Sequence, residues 1–400
     1  MNPTRREVLA ALGTASITAP LFAAVPNPSN DRLDPWLEVD ASALGNNVRT
    51  ISRLAGGRPI LAVIKNNAYG LGLTSVASIL QTAPEIAGFA VVKTSEALDL
   101  RYAGITKPVL LMGLFAASDG QELVKNDVQL SICTDDAASR IEAAGKIAGK
   151  RPAAQLYLDT GMGRMGIPYH RAMPVLDDAA ARALDVTGTF MGFTESDFDK
   201  EQLDRFRRFA AAAGERGFEL GKLHAASSHA VFNFGDALLD QVRPGIALFG
   251  AYPSDAESES RIATLTPAFS LKARVVRVEQ LRPGDSVSYG RNYIADKPTW
   301  TATIPTGHTD GYPRAAVNGA RVLVNGETYP VIGAVSASHT IIEVGDEKKV
   351  NIGDVATLVG SGHPDIHPNA VAKATGTSVY DRLMHLSPML SKHMTRNVIY

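Results

Sequence analysis

ILAVIKNNAYG, residues 60–70, is the stretch on which the reading of this chain turns. Ile60, Leu61, Ala62, Val63 and Ile64 are five apolar residues in succession, rich in branched side chains, and predict a strand buried on both faces. The run stops abruptly at Lys65. A lysine closing such a strand stands where a (β/α) barrel presents its reactive groups, at the C-terminal rim. There, partial desolvation lowers the pKa of the amine and frees it as a nucleophile toward carbonyls. The plain alternative is a lysine whose stem covers apolar surface while its ammonium reaches water. Residues far downstream decide against it.

Working outward, residues 36–250 alternate short apolar runs with longer helical stretches. The runs are GFAVV (88–92), PVLLMG (108–113), QLYLDTG (155–161), DVTGTF (185–190) and GIALFG (245–250). Helices are expected over 95–102, 136–148 and 200–216. Repeated strand–helix units over this length predict an α/β fold, a TIM-type (β/α)8 barrel spanning 34–252. A doubly wound sheet is the competitor, but no GxGxxG turn follows the first strand. SDAESES (254–260) is a polar connector. Beyond it, LKARVVRVEQL, VSYGRNY, TWTATIP, RVLVNGETYPVIGAV, TIIEVG and VATLVG alternate, separated by turns at 283–285, 325–326 and 353–354. This texture predicts a mostly antiparallel β domain over 262–400.

With 400 residues, 45% apolar content and a net charge of −1, the composition is that of a soluble globular chain of two domains. The charge balance gives no support to nucleic-acid binding. The single Cys133 excludes an intrachain disulfide and a cysteine-based zinc site. Residues 1–30 read as a cleavable export signal: Arg5-Arg6, a weakly hydrophobic alanine-rich middle, and Phe22-Ala23-Ala24 before Pro26. The paired arginines fit the twin-arginine route, which predicts a periplasmic protein. The apolar middle is too short to span a bilayer comfortably, so no membrane association is expected after cleavage.

Five motifs carry a family resemblance: IKNNAYGLG (64–72), LDTGMGRMG (158–166), VRPGIALFG (242–250), SVSYG (286–290) and TSVYD (377–381). In order and spacing the chain resembles the alanine racemase family of fold-type III pyridoxal-phosphate enzymes, over nearly all of its length after the export signal. The resemblance implies that Lys65 holds pyridoxal 5'-phosphate as a Schiff base and then serves as one of two bases. It implies a phosphate site made of Tyr69, Ser228, Tyr380 and the backbone of Gly245 and Ile246. Arg243 would face the pyridine nitrogen; because arginine keeps its proton, that nitrogen stays unprotonated and the ring is a weaker electron sink. Such a ring favours racemisation and argues against a decarboxylase. Tyr289 would be the second base, reaching in from the partner subunit of a homodimer. Arg164 would hydrogen-bond the phenolic oxygen of the cofactor, and Arg164 and Ala337 would border the amino-acid substrate.

The departures from the family pattern cluster on the catalytic face. Tyr157 stands for a lysine, Gly192 for a histidine that packs on the ring, and Ser227 for an asparagine. His308 stands for a tyrosine, and Ala337-Ser338 followed by His339 for a Met-Asp pair. Losing the imidazole at Gly192 is expected to open space above the ring, and His308 or His339 to be available for proton transfer. The expectation is an amino-acid racemase not confined to alanine, with no metal. Two alternatives stay open. One is a lyase of the D-threonine aldolase type, for which His363, Asp365 and His367 would offer a metal site. The other is a cofactor- or amino-acid-binding protein without turnover.

Overall fold

A short strand, β1 (Trp36–Asp40), and a helix capped by the Asp40 carboxylate, Ala41–Leu54, precede the decisive run. That run forms β2 (Ile60–Val63), and all four of its residues are buried in the computed structural model. The structure describes residues 33–260 and 262–395, so the expected export signal lies outside the described residues. β2 pairs in parallel with β3 (Ile86–Val91), and the parallel order continues through β4 (Val109–Leu111) and β5 (Val128–Ile132). It runs on through β6 (Ala153–Asp159), which also carries the two-residue β7 (Ile167–Pro168), to β8 (Asp185–Phe190) and β9 (Lys222–His224).

The last gap is closed by backbone alone. Val242 bridges Ile60 in parallel, and the N–H groups of Leu61 and Val63 donate to the carbonyls of Val242 and Pro244 at 2.9 Å each. Residues 242–244 thus serve as the eighth stave of the expected barrel. The two-residue period of β2 explains its unbroken apolar sequence. Leu61 and Val63 point inward with Ala90, Leu110, Cys133, Tyr157 and Phe190, while Ile60 and Ala62 pack outward against the helices.

The remaining strands are β10 (Phe269–Arg274), β11 (Arg277–Leu281), β12 (Ser286–Val287), β13 (Tyr293–Ile294) and β14 (Thr299–Ile304). They continue with β15 (Arg321–Val324), β16 (Glu327–Ile332), β17 (Thr340–Gly345), β18 (Val355–Val359) and β19 (Ser391–Thr395). Nine strands make one sheet in the order β11-β14-β17-β16-β15-β18-β10-β1-β19, with β12 and β13 forming a separate hairpin. Every pair in the sheet is antiparallel except β1 with β19.

Two features depart from the sequence reading. β1 lies in the second sheet, although it falls inside the segment 34–252 expected to form the barrel. Its alternation buries Leu37 and Val39 on one face, the pattern of a half-buried antiparallel strand, and it pairs with β10. The polar connector 254–260 contains a helix, Asp255–Ser260, rather than loose chain. Its Glu257 is buried and binds His229 at 2.6 Å, Asn233 at 2.5 Å and Ser254. Among the described residues no helix is long and apolar enough to cross a membrane.

Candidate active site

β2 delivers Lys65 to the C-terminal rim through an unusual turn. Asn66, Asn67, Ala68 and Tyr69 have φ of 55°, 56°, 52° and 56°, four consecutive residues other than glycine in the left-handed region. Left-handed helical backbone costs roughly 1–2 kcal/mol per residue, less for asparagine, so the turn must be held from outside. The Asn67 N–H donates to the buried Glu96 carboxylate at 2.9 Å, and the Asn67 side chain accepts from the Leu73 N–H at 2.8 Å. Lys65 itself is half-buried. Its amine is less basic than an ordinary lysine because burial and the Arg164 charge outweigh the opposing Glu96 charge.

Beside it lies a cup of hydroxyl and backbone groups. The Ser228 hydroxyl oxygen accepts from the Gly245 N–H at 2.9 Å and the Ala247 N–H at 3.3 Å. The Tyr69 ring lies 5.2 Å from Phe249 and 6.4 Å from Tyr380. Gly245 is required by close approach: a Cβ there would lie 2.2 Å from the Tyr69 hydroxyl. Ile246 is fully buried and opens the short turn Ile246–Phe249. Tyr380 arrives from the C-terminal helix Val379–Met384, whose Leu383 carbonyl abuts Gly70. The hydroxyls of Tyr69 and Tyr380 stay protonated at any ordinary pH, chiefly because they are buried. Both therefore carry a proton that they can donate to a ligand.

Across the barrel mouth, Arg243 is 9% exposed and densely bonded. Its NH1 donates to Nδ1 of His224 at 2.9 Å and to the His224 carbonyl at 2.6 Å; its NH2 donates to the carbonyls of Met191 and Ala225. Of the five guanidinium N–H donors four are spent, which leaves the Nε–H for a ligand. Burial pushes its pKa down to about 10, so the guanidinium remains charged at neutral pH. His224 accepts at Nδ1, so its Nε2 carries the proton and donates to Gln155 Oε1 at 2.8 Å; Gln155 in turn donates to Gln129 at 2.6 Å. Burial and the Arg243 charge hold His224 neutral, well below its ordinary pKa. Nothing in the motifs announced this chain of side chains. Arg164 stands on the exposed turn of LDTGMGRMG, where its positive charge bears on both Lys65 and Arg243.

The remaining expected residues are elsewhere. Tyr289 is 75% exposed, on the β12–β13 hairpin, and its side chain makes no hydrogen bond or ring contact with the described residues. The Ser288 hydroxyl ties this hairpin to the Ala334 carbonyl at 2.9 Å. Ala337 is exposed nearby in sequence, its carbonyl accepting from the Thr309 N–H and hydroxyl, so that His308 and His339 share its loop cluster. Both histidines are exposed. The sequence-predicted residues therefore divide into an assembled barrel set (Lys65, Tyr69, Arg164, Ser228, Arg243, Gly245, Ile246, Tyr380) and a set displayed on the β domain (Tyr289, Ala337).

The substitutions also resolve spatially. A side chain at Gly192 would meet the Met162 sulfur at 3.2 Å and the Tyr157 hydroxyl 3.9 Å away, so the lost imidazole leaves less open space than expected. Tyr157 stacks on Phe190 at 4.3 Å, and Phe190 on His224 at 5.3 Å. Ser227 donates to Glu195 Oε1 at 3.3 Å, placing an unexpected carboxylate whose charge bears on Tyr69 and Tyr380. At the suggested metal site, Asp365 is engaged by Arg321 at 3.2 Å and Thr328 at 2.7 Å. The Nδ1 atoms of His363 and His367 each accept a backbone N–H, from Asp365 and Asn369. The Asp365 carboxylate and both Nδ1 atoms are thus committed to the fold.

Comparison with known proteins places this geometry. The alanine racemase N-terminal and C-terminal domain families match residues 39–253 and 268–394. The alanine racemase of Desulforamulus reducens is 33% identical over 354 residues, 86% of this chain and 95% of its own. That of Carboxydothermus hydrogenoformans is 34% identical over 358 residues, 88% and 97% of the two chains. Among solved structures, the alanine racemase of D-cycloserine-producing Streptomyces lavendulae superposes with a TM-score of 0.84 at 28% identity, covering 91% of this chain and 97% of its own. The Bacillus anthracis alanine racemase with bound L-Ala-P gives 0.81 at 30% identity, covering 92% and 96%. Fold and site define an isomerase scaffold that works on amino acids through a carbonyl cofactor. This chain belongs to the alanine racemase family, whose members are pyridoxal-phosphate enzymes. The residues present fit that cofactor: a lysine of lowered basicity, a cup of neutral donors, a glycine whose missing Cβ leaves room for Tyr69, and one unspent N–H on Arg243.

Proposed function

We propose that this protein racemises α-amino acids with two bases, Lys65 of one copy and Tyr289 of a second, on opposite faces of the bound substrate. The observation that carries the reading is the division of the site: the cofactor set is assembled in one chain, whereas Tyr289 is 75% exposed and displayed outward. Pyridoxal phosphate, when bound, supplies an electron sink that acidifies the α-hydrogen. Tyr69, Tyr380 and Ser228 would hold its phosphate with hydroxyl donors, helped by the N–H of Ile246, while the Gly245 N–H orients the Ser228 hydroxyl. Arg243 offers Nε–H to the ring nitrogen and keeps that atom unprotonated. Lys65 anchors the group and afterwards moves a proton at Nζ on one face, while the tyrosine hydroxyl of the partner moves one on the other. Arg164 orients from the rim.

The substrate range extends past alanine, a reading supported by the small, exposed Ala337-Ser338 pair. The test is incubation with pyridoxal phosphate in D₂O against a panel of L- and D-amino acids. Deuterium uptake with inversion for several side chains, abolished in Lys65→Ala, supports the reading; cofactor bound with no exchange would sink it. Export to the periplasm through residues 1–30 completes the proposal. It predicts that replacing Arg5 and Arg6 by lysine retains the protein inside the cell on fractionation, and equal distribution of both forms would refute it.

A further inference from the structure

The left-handed turn that carries Lys65 is held by a group outside every motif noted above. Glu96 lies at the start of the helix Thr94–Tyr102, which follows β3, the neighbour of β2. It is 6% exposed, and both oxygens of its carboxylate are committed to backbone N–H groups: Oε1 to Asn67 at 2.9 Å, Oε2 to Lys93 at 3.3 Å. One carboxylate thus joins the start of its own helix to the middle of a four-residue left-handed segment. Asparagine tolerates that conformation; Ala68 and Tyr69 do not favour it. The segment has Lys65 at one end and Tyr69 at the other, and Tyr69 closes on Gly245. The carboxylate serves the two N–H groups with separate oxygens, whereas a carboxamide of the same length has one acceptor oxygen.

We infer that Glu96 is a positioning residue: its carboxylate fixes the turn 66–69 and so sets, through one brace, both the lysine amine and the Tyr69 hydroxyl of the cofactor site. The inference rests on the reading of Lys65 and Tyr69 given above. Glu96 touches neither substrate nor reacting atoms. Its negative charge also acts on the Lys65 amine, opposing the effect of Arg164.

The test compares full-length apoprotein carrying Glu96→Gln, Glu96→Asp and Glu96→Ala with the parent. Lys65 is labelled by reductive methylation across pH and its peptide read by mass spectrometry; pyridoxal-phosphate affinity and thermal unfolding are measured alongside. Glutamine keeps an oxygen for Asn67 but removes the charge, so the labelling midpoint falls and affinity stays within about threefold. Alanine releases the turn; Lys65 gains solvent, its midpoint rises toward that of an ordinary lysine, and affinity drops by about tenfold or more. Aspartate keeps the charge but falls one methylene short, and loses affinity as alanine does; it decides the matter if the alanine variant does not fold. A change in melting temperature alone, with labelling and affinity unmoved in the alanine and aspartate variants, would reduce Glu96 to a helix cap and overturn the inference. A parent protein that binds no pyridoxal phosphate would sink the racemase reading instead, while the labelling comparison still judges Glu96.

Discussion

Arg243 spends four of its five donors on its own fold, and that expenditure fixes where the fifth points. The key partner is His224, a neutral imidazole that accepts at Nδ1 and passes a hydrogen bond on to Gln155. Replacing His224 by leucine removes an acceptor from a buried cation, and we expect a loss of about 3 kcal/mol in a denaturant titration. We also expect weaker cofactor binding as the guanidinium reorients. A variant of unchanged stability would show that the carbonyl contacts alone hold the arginine. Glu195 is a residue of opposite consequence. Its exposed carboxylate accepts from Ser227 and bears on the two tyrosines of the anion cup. Glu195→Gln removes a like charge from the path of a phosphate, so pyridoxal phosphate should bind up to about fivefold tighter, within the range of exposed charge interactions. Raising the salt concentration should shrink the difference, and an affinity that falls on substitution would contradict the argument.

At the scale of elements, the connector between barrel and β domain is fastened rather than slack. Burial alone would raise the carboxyl pKa of Glu257, but donors from Ser254, Asn233 and His229 outweigh it and hold the group below the ordinary carboxylate range. The sign follows. A depressed folded-state pKa contributes stability that is present above the unfolded value and is lost as pH falls through the folded one. Melting temperature should therefore decline more steeply on acidification in the parent than in Glu257→Gln, which has no such proton to take up; parallel profiles would refute the clip. The elements that sequence made legible are those with a strong local signal. The uninterrupted run at 60–64 reads as a doubly buried strand, and the glycine-bearing VRPGIALFG places Arg243, Gly245 and Ile246 together because they are neighbours in the chain. What escaped reading depends on distant partners. β1 looks the same in sequence whether it opens a barrel or joins β10 and β19, and only pairing decides. Glu96 and the Gln155–His224 relay bear on the site through contacts that no motif spacing encodes.

The whole molecule displays Tyr289, the second base proposed above, outward, and the proposal makes a quantitative demand. Tyr289, on a hairpin with φ of 60°, 76° and 54° at Ser288, Gly290 and Arg291, is held in a conformation that ordinary side chains avoid. Strain of this kind persists where the surroundings fix it, here through the Ser288 bond to Ala334. Among the described residues this exposed tyrosine has no hydrogen-bond or ring partner, while Lys65 stands half-buried at the barrel rim. In the proposed arrangement two copies related by a two-fold axis would bring them together, each lending its hairpin to the other's barrel. Under this arrangement Lys65→Ala and Tyr289→Phe are each inactive as homodimers. Co-expressed, they form mixed dimers with one site missing both groups and one site intact. Random assortment then restores about a quarter of the parental activity. If each chain instead used its own tyrosine, every site would lack one base and the mixture would stay silent, even with mixed dimers demonstrated by tandem tags. Recovery near a quarter, set against silence, separates a site shared between copies from one built within a single chain.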